Sequence, residues 1–305
     1  MDGPPPTTAT PQRCSGAELL HWRRKLLQIS GTASELDWLL EMEGGLAWQH
    51  LQQLQLKPDQ TVLLRTPLDT LANLWRRYQE GHEPLQYLVG RCPWRDLELA
   101  VGPGVLIPRQ ETELLVEIAQ ERMGRAAGNG SPGLWADLGT GSGCLAAALA
   151  RCWPSSQGWA VDQSSEALAL AAQNLRGLGL EARVTLCQGS WWAPLRPQWG
   201  RLELVVANPP YIPDAVWSQL DPVVRDHEPA LALVGGEDGL ESLRAIASQA
   251  TEALAPGGWL LLEHHYDQSD AVAALLRSAG LKQVEAHTDL EGKLRFARAQ
   301  APERP

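Results

Sequence analysis

From residue 134 onwards, short segments rich in Val, Leu and Trp alternate with longer amphipathic segments. The short segments predict β-strands and the longer ones predict helices. Alternation of this kind is typical of a parallel sheet with helices on both faces, so the predicted fold class is α/β. The predicted strands are 134–138, 158–161, 183–187, 202–207 and 258–264, with helices near 142–151, 165–176, 240–254 and 269–279 and a closing strand pair near 281–287 and 294–298.

The first third of the chain has a helical pattern instead. Ser15 with Glu18, and Thr32 with Glu35, match the capping box that begins many helices. Further helices are predicted near 46–54 and 68–78, and no strand pattern is found before residue 85. We therefore expect a small all-α domain in this region.

Between the helical and the α/β regions, short alternating segments are interrupted by Gly and Pro, which predicts a hairpin linker. The residues before Ser15 are rich in Pro and Thr, which predicts disorder. The expected organisation is a disordered tail at 1–14, a helical substrate-recognition domain at 15–82, a hairpin linker at 83–108, an α/β catalytic domain at 109–300 and a tail at 301–305.

Charge and cysteine content exclude several classes of protein. The formal net charge is −10, and an acidic chain repels phosphate backbones, so we expect no direct nucleic-acid partner. The five cysteines are scattered and form no C-x-x-C pair, which argues against both a disulfide framework and a zinc site. The sequence starts without a signal-peptide pattern and has no apolar run of membrane-spanning length. We therefore expect a cytoplasmic protein without a membrane partner.

The first predicted strand leads into the sequence DLGTGSG at 137–143, called here the glycine loop. The dinucleotide fingerprint would place glycine at 144, where Cys144 stands, and no Gly-Lys-Ser/Thr follows as in a P-loop. An acidic residue with three alternating glycines suits a ligand that has a cationic amino group and no pyrophosphate. S-adenosylmethionine fits that description; the alternative is a tight turn without a ligand.

Two residues after later strands extend this candidate site. Asp162 ends the second predicted strand, where a carboxylate could accept hydrogen bonds from both ribose hydroxyls or could cap the next helix. Trp191 follows the third strand and could lie against an adenine ring or pack in the core. The candidate cofactor-binding residues are Asp137, Gly139, Thr140, Gly141, Ser142, Gly143, Asp162, Trp191 and Asn208.

The fourth predicted strand ends in Asn-Pro-Pro-Tyr at 208–211, called here the NPPY loop. Proline lacks a backbone N–H and fixes φ, so Pro209 and Pro210 stop the β-ladder. The residue before each proline is held extended, and carbonyl groups in the loop lose their usual partners. The loop is therefore either a binding edge or only a strand-ending turn.

With these motifs together, the chain resembles the protein-(glutamine-N5) methyltransferases of the HemK/PrmC group, which methylate peptide chain release factors. The resemblance rests on the sequences EPLQYLVG (83–90), LIPRQETELLVE (106–117), DLGTGSG (137–143), AVDQSSEAL (160–168), VVANPPYIP (205–213), HEPALALVGGEDGL (227–240) and GGWLLLEH (257–264). Three positions depart from the family pattern, namely Gln110 after Ile-Pro-Arg, Ser190 in place of an aspartate and His265 in place of a glycine.

The resemblance implies an S-adenosylmethionine-dependent methyltransferase with a Rossmann-like, seven-stranded, mostly parallel sheet behind the all-α domain. It implies that Asn208, Pro209 and Tyr211 are catalytic. The residues implied to bind the substrate glutamine, part of a Gly-Gly-Gln loop, are Asn208, Pro209, Pro210, Tyr211, Arg109 and Glu111. For the last two, helix capping and surface pairing are the alternative.

The residues also suggest how such a loop would act. A carboxamide nitrogen is a poor nucleophile because its lone pair is delocalised into the carbonyl group. The side-chain carbonyl of Asn208 and the backbone carbonyl of Pro209 could each accept one N–H of that amide, and Tyr211 could lie against its plane. Glu263, His264 and His265 are interpreted as structural, because no third metal ligand is evident beside them, and no metal is expected.

Two other functions remain open from the sequence. One is methylation of a different amide or amine, such as a ribosomal-protein glutamine or adenine N6 in a nucleic acid; the acidic net charge argues against the latter. The other is a non-catalytic adaptor that keeps the fold and binds a translation protein. The intact glycine loop and NPPY loop argue against that adaptor.

Overall fold

The structure is a computed structural model, which describes residues 10–126 and 131–303. The chain divides into two compact units, Met1–Gly90 and Arg91–Pro305. The boundary falls within the segment 83–108 that the sequence predicts to be a linker. Residues 1–9 of the expected N-terminal tail and residues 304–305 of the C-terminal tail lie outside the described residues.

The first unit consists mainly of helices around an apolar core. Its elements are strand β1 (Gln12–Ser15), helices α1 (Gly16–Leu27), α2 (Ala33–Met42) and α3 (Trp48–Leu56), strand β2 (Thr61–Leu64), and helices α4 (Leu68–Gly81) and α5 (Leu85–Val89). Both predicted capping boxes are confirmed, at Ser15 before α1 and at Thr32 before α2. Leu19, Leu36 and Leu71 are fully buried in the core that these helices share.

The expectation of no strand before residue 85 was wrong. Gln12–Ser15 and Thr61–Leu64 form a two-stranded antiparallel sheet, and residues 12–14 of the expected disordered tail lie in it. Each strand has four residues, which is too short for a period of two to stand out in a sequence. Only Cys14, Val62 and Leu64 from these strands reach the core.

The second unit begins with an antiparallel hairpin, β3 (Arg91–Trp94) and β4 (Leu97–Ala100). Trp94, Leu97 and Leu99 are buried in one core with the helices that follow. Those helices and strands are α6 (Glu113–Ala126), β5 (Leu134–Leu138), α7 (Cys144–Cys152), β6 (Gln157–Asp162), α8 (Ser165–Gly177), β7 (Val184–Gln188), β8 (Leu202–Ala207), α9 (Asp214–Trp217), α10 (Pro222–Arg225), α11 (Glu241–Ala253), β9 (Leu254–Glu263), α12 (Ser269–Ser278), β10 (Lys282–Thr288) and β11 (Leu294–Gln300).

Seven of these strands form one sheet in the order β10-β11-β9-β8-β5-β6-β7. The pairs among β5 to β9 are parallel, whereas β11 pairs antiparallel with both β9 and β10. The predicted α/β class and the mostly parallel seven-stranded sheet are therefore confirmed, as is the closing strand pair.

Alternating side chains of the central strands pack into two separate cores. In β8, Leu204 and Val206 face the core formed with α6, α7 and α8, and Val205 and Ala207 face the core formed with α11 and α12. Such alternation is the consequence of the two-residue period of a strand covered on both faces. The sheet is thus buried between two helical layers.

The strand order places the loops of interest side by side. The chain leaves β5 toward β6 and β7 on one side, and returns to β8 on the other side of β5. In open α/β sheets, ligands bind at such a switch point, beyond the carboxyl ends of the strands. The glycine loop follows β5 and the NPPY loop follows β8, so both meet at this point.

Candidate active site

A pocket opens at the carboxyl ends of β5 to β8, within the second unit. It lies between the glycine loop, the ends of the neighbouring strands, the segment 104–112 and the segment 229–232. Its lining residues include Val105, Arg109, Thr112, Gly139, Thr140, Gly141, Ser142, Asp162, Ser190, Trp191, Asn208, Pro210, Pro229 and Leu231. Most of the candidate cofactor residues therefore share one cavity.

The backbone of the glycine loop takes a shape that favours glycine. Gly139, Gly141 and Gly143 all have positive φ, between +55° and +82°. A Cβ on Gly143 would lie 3.1 Å from Ala171 of α8, so this glycine allows close packing of helices. A Cβ on Gly141 would meet only Val105, at 4.0 Å, and would project into open space. The loop therefore presents bare backbone to the pocket at Gly141.

Asp137 stabilises the glycine loop through buried hydrogen bonds. It is fully buried and does not line the pocket. Its Oδ2 accepts hydrogen bonds from the Thr140 hydroxyl at 2.6 Å and from the Ala146 amide at 3.2 Å. Its Oδ1 is buried without a hydrogen-bond partner among the described residues. Burial raises the pKa of the Asp137 carboxyl to about 7, and the negative charge of Asp162 acts in the same direction.

Asp162 lies at the end of β6, on the pocket wall. Its Oδ2 accepts the Gly141 amide N–H and its Oδ1 accepts the Ser164 amide N–H, both at 2.9 Å. The side chain of Ser164, and not that of Asp162, caps helix α8. Each carboxylate oxygen of Asp162 keeps a second lone pair for a ligand in the pocket.

The two tryptophans after β7 occupy different environments. Trp192 is fully buried and its indole N–H donates to the Ile246 carbonyl at 2.9 Å. Trp191 lines the pocket beside Gly139 and is only partly packed against the core. Its φ of +46° is rare for a bulky residue, and such strained backbones concentrate at functional sites.

Asn208 belongs to a hydrogen-bonded chain that crosses three elements. Its Nδ2 donates to the Thr112 hydroxyl oxygen at 3.0 Å, and the Thr112 hydroxyl donates to Glu263 Oε2 at 2.7 Å. The Tyr211 hydroxyl donates to Glu263 Oε1 at 3.4 Å. Thr112 and Glu263 are buried, with exposed fractions of 2% and 1%. This arrangement leaves the carbonyl oxygen of the Asn208 side chain available to the pocket.

The buried carboxyl group of Glu263 is a weaker acid than usual. Burial raises its pKa to about 7, and Glu111 acts in the same direction, whereas the hydrogen bond from Thr112 and the charge of Arg295 oppose the change. The pKa of the Tyr211 hydroxyl is also raised, first by burial and then by the charge of Glu263. Tyr211 therefore stays protonated.

The loop at 235–239 supports the NPPY loop from behind. A Cβ on Gly235 would lie 2.6 Å from the Pro210 carbonyl oxygen, and one on Gly239 would lie 2.2 Å from that of Tyr211. Only glycine permits this approach. Gln268 Nε2 donates to the Tyr211 carbonyl at 2.9 Å and fixes it further. Among the described residues, no hydrogen bond is found to the Pro209 carbonyl.

Two walls of the pocket are joined by Glu228. Its Oε2 accepts the Ile107 amide N–H at 3.0 Å, and its Oε1 accepts Arg109 Nη2 at 2.6 Å. The Glu228 side chain is 1% exposed and that of Arg109 is 33% exposed. Arg109 thus lines the pocket while paired, whereas Glu111 is exposed and does not line it.

The predicted site residues fall into two groups. Gly139, Thr140, Gly141, Ser142, Asp162, Trp191, Asn208, Pro210 and Arg109 line the pocket, and Asp137, Gly143, Pro209, Tyr211 and Glu111 do not. Sequence reasoning missed Thr112 as a partner of Asn208, and it interpreted Glu263 as structural after rejecting a metal site, without connecting it to the NPPY loop. The position of Glu263 at the end of β9, the neighbour of β8, was the signal that could have identified it.

Comparisons with known proteins identify the family of this chain. Residues 110–220 match the family model of the methyltransferase small domain. A release factor glutamine methyltransferase of Prochlorococcus marinus is 50% identical over 94% of this chain and 98% of its own. One from Thermosynechococcus vestitus is 41% identical over 92% of this chain and 97% of its own.

Among solved structures, the hMettl16 catalytic domain, in complex with MAT2A 3′UTR hairpin 6, is similar in fold. It has a TM-score of 0.54 and 12% identity, and the match covers 77% of this chain and 81% of that one. Within the described part of the chain, no helix combines the length and apolarity needed to cross a bilayer. The relatedness along almost the whole sequence is decisive: this methyltransferase belongs to the release factor glutamine methyltransferase family.

Proposed function

We propose that the enzyme transfers a methyl group from S-adenosylmethionine to the side-chain amide nitrogen (N5) of the glutamine in the Gly-Gly-Gln motif of peptide chain release factors. The observation that carries this proposal is the orientation of Asn208. Its Nδ2 is held by Thr112, so its side-chain carbonyl is free to accept an N–H from a ligand. A carboxamide substrate requires such acceptors. Relatives named release factor glutamine methyltransferases support the choice of substrate.

The pocket fits S-adenosylmethionine as the cofactor. When bound, the cofactor supplies an electrophilic methyl group on a sulfonium. Asp162 would accept the ribose hydroxyls, since both of its oxygens keep a lone pair beside the pocket. Trp191 would lie against the adenine ring, and the bare backbone at Gly141 allows a close approach. Asp137 would act by holding the glycine loop in shape.

The NPPY loop would hold the glutamine amide. The Asn208 side-chain carbonyl and the Pro209 backbone carbonyl each accept one amide N–H, which turns the nitrogen lone pair toward the methyl group. Pro209 and Tyr211 lie just outside the pocket lining, so the substrate amide would have to reach them beyond that wall. There Tyr211, its hydroxyl held by Glu263, would lie against the amide plane. Alignment of reactants can supply up to ~7–11 kcal/mol of a barrier. Acceptors aimed at the nitrogen help most as positive charge develops on it.

Arg109 and Pro210 line the pocket, and we propose that they also contact the substrate. Arg109 lies at the pocket wall with its side chain 33% exposed, and its pairing with Glu228 limits its movement. Glu111 would contact the substrate from outside the pocket. The helical first unit is proposed to recognise the release factor. The five cysteines are free thiols, which suits the cytoplasm, where release factors act.

The proposal is tested by incubating the enzyme with methyl-labelled S-adenosylmethionine and purified release factors, followed by mass mapping of the modified residue. Label on the glutamine of the Gly-Gly-Gln loop is the expected result. A release factor with that glutamine replaced by alanine is the matched control and is expected to stay unlabelled.

Other outcomes would point elsewhere. Label on a ribosomal protein, or on DNA or RNA offered in parallel, with unlabelled release factors, would refute the proposed substrate. Cofactor binding without transfer to any of these acceptors would favour the adaptor.

A further inference from the structure

In the hydrogen-bonded chain through Thr112, each group can be assigned as donor or acceptor. A hydroxyl group has one proton to donate. When Glu263 is ionised, its Oε2 can only accept, so the Thr112 proton is committed to Glu263. Thr112 can then only accept from Asn208, and the donor end of that carboxamide, Nδ2, must face it. The acceptor end is left facing the pocket.

Protonation of Glu263 at Oε2 would reverse this order. The carboxyl group would donate to Thr112, and the Thr112 hydroxyl would donate to Asn208. The Asn208 carboxamide would then turn its carbonyl oxygen toward Thr112 and its Nδ2 toward the pocket. A donor would face the two N–H groups of a substrate amide, which is the wrong polarity for binding it.

We propose that Glu263 and Thr112 are positioning residues, and that ionised Glu263, acting through the Thr112 hydroxyl, fixes which end of the Asn208 carboxamide faces the substrate. This inference rests on the proposed function. The second oxygen of Glu263 holds the Tyr211 hydroxyl, so one carboxylate orients both side chains that would flank the substrate amide. Neither residue needs to touch the substrate.

The positions of these groups explain how Glu263 and Thr112 can determine the orientation of the Asn208 carboxamide. Thr112 immediately precedes α6, Glu263 ends β9, and Asn208 follows the adjacent strand β8. Thr112 and Glu263 are almost inaccessible to water, so water cannot replace a lost hydrogen bond. A polar group left without a partner in such a place destabilises the arrangement that leaves it unpaired. Each hydrogen bond therefore excludes the opposite amide orientation.

Charged groups around Glu263 determine the pH range over which its carboxyl group ionises. Arg295, itself paired with Asp289, favours the ionised form, and Glu111 disfavours it. Within the described residues, Tyr211 and Cys144 also face Glu263, and both are neutral at physiological pH because burial raises the pKa of each. Burial of Glu263 itself is the largest influence and raises its pKa to about 7. The ionised fraction therefore rises through neutral pH.

The direct test observes Asn208 without any substrate. The chain has four asparagines, Asn73, Asn129, Asn174 and Asn208, so selective ¹⁵N labelling gives four side-chain NH₂ signals. The Asn208 signal is assigned by its loss in Asn208→Ala. We expect it to titrate between pH 5.5 and 8.5 with an apparent pKa of about 7, and to stop titrating in Glu263→Gln and in Thr112→Val.

The kinetic test uses the same variants with a release factor. Thr112→Val and Glu263→Gln are expected to lower kcat by roughly tenfold or more, with KM for S-adenosylmethionine changed less than about twofold. Thr112→Ser, which keeps the hydroxyl, should restore most of kcat. The rise of kcat with pH should be lost in Glu263→Gln. Thr185→Val, at an exposed position of β7, is the matched control.

Three results would overturn the inference: an Asn208 signal that does not respond to pH, one that titrates unchanged in Thr112→Val, or full kcat in that variant. A wild-type enzyme that labels no release factor would refute the proposed function alone, because the NMR titration needs no acceptor and still decides the positioning role.

Discussion

The carboxamide of Asn208 has two ends of nearly equal shape and opposite hydrogen-bonding character. The sequence places this residue after β8, but gives no indication of which end faces the pocket. Thr112 supplies that information, from a segment almost a hundred residues earlier in the chain. The chemical character of one side chain is therefore decided by a residue outside its own motif.

The first prediction concerns Asn208 itself. Asn208→Ala removes one of the two proposed acceptors for the substrate amide, and we expect turnover to fall by roughly 10²-fold or more. KM for S-adenosylmethionine should change less than turnover, because the glycine loop and Asp162 are untouched and Asn208 is only one of the candidate cofactor contacts. Steady-state kinetics with a release factor measures both. Asn73→Ala, at an exposed position of α4, is the control; near-normal turnover in Asn208→Ala would exclude the assigned role.

A second prediction separates backbone strain from cofactor contact. Gly141→Ala and Gly179→Ala both place a Cβ on a backbone of positive φ, at +55° and +68°. Each is expected to lose about 1–2 kcal/mol of unfolding free energy. Only Gly141 faces the pocket, so only its substitution should weaken S-adenosylmethionine binding, by roughly tenfold or more.

Chemical denaturation and calorimetric titration of the two glycine variants make this comparison. Equal affinity for S-adenosylmethionine in both variants would contradict the assignment of Gly141 to the cofactor.

At the scale of elements, most of the second unit was predictable from the sequence. Strands 134–138 and 202–207 lie where their apolar runs end at glycine and proline, and the helices near 165–176 and 269–279 differ from the observed α8 and α12 by a residue at one end. These segments are long enough for their period to be read. The strands β1 and β2 are not, and their pairing joins residues about fifty positions apart.

The contacts between loops were not predictable. Nothing in a single sequence shows that Glu228 binds Ile107 and Arg109. The same is true of the approach of Gly239 to Tyr211, which depends on how two loops meet above the sheet. Motif reasoning identified the segments, and only the fold showed how they are paired.

The third prediction concerns Glu228, which joins two walls of the pocket. Glu228→Ala leaves the Ile107 amide and the Arg109 guanidinium without their buried partner, which should lower the unfolding free energy by about 1–3 kcal/mol. The affinity for S-adenosylmethionine should also fall, because both walls line the pocket. Denaturation and binding titrations measure these effects.

Glu291→Ala is the matched control for Glu228→Ala, since it removes an exposed pair with Lys293 and should cost less than about 1 kcal/mol. Equal losses of unfolding free energy in the two variants would show that the buried contacts of Glu228 stabilise the fold no more than an exposed ion pair does.

At the scale of the whole molecule, the fourth prediction is a pH dependence of stability. The pKa of Asp137 is raised from 3.8 to about 7 in the folded protein. Because the carboxyl pKa is raised on folding, its stabilising contribution is fully present at pH values below the pKa of the unfolded state. This contribution is lost as the pH rises through the pKa of the folded state. The contribution is on the order of 4 kcal/mol, at about 1.4 kcal/mol per pKa unit.

Asp137→Asn cannot ionise, so its stability relative to the wild type should increase between pH 4 and pH 8. Urea denaturation of both proteins across this range, without cofactor, measures the difference. A difference that stays constant with pH would show that Asp137 has an ordinary acidity in the folded state.

The order of the strands has a consequence for how such enzymes diversify. The loops that would hold the donor follow β5, β6 and β7, and the loop that would hold the acceptor follows β8, on the opposite flank of β5. Most of the donor contacts and the main acceptor contacts thus come from separate stretches of chain, although Arg109 and Thr112, which precede β5, also serve the acceptor. Exchange of the stretch after β8 could reassign the methylated group without rewriting the nucleoside side of the enzyme.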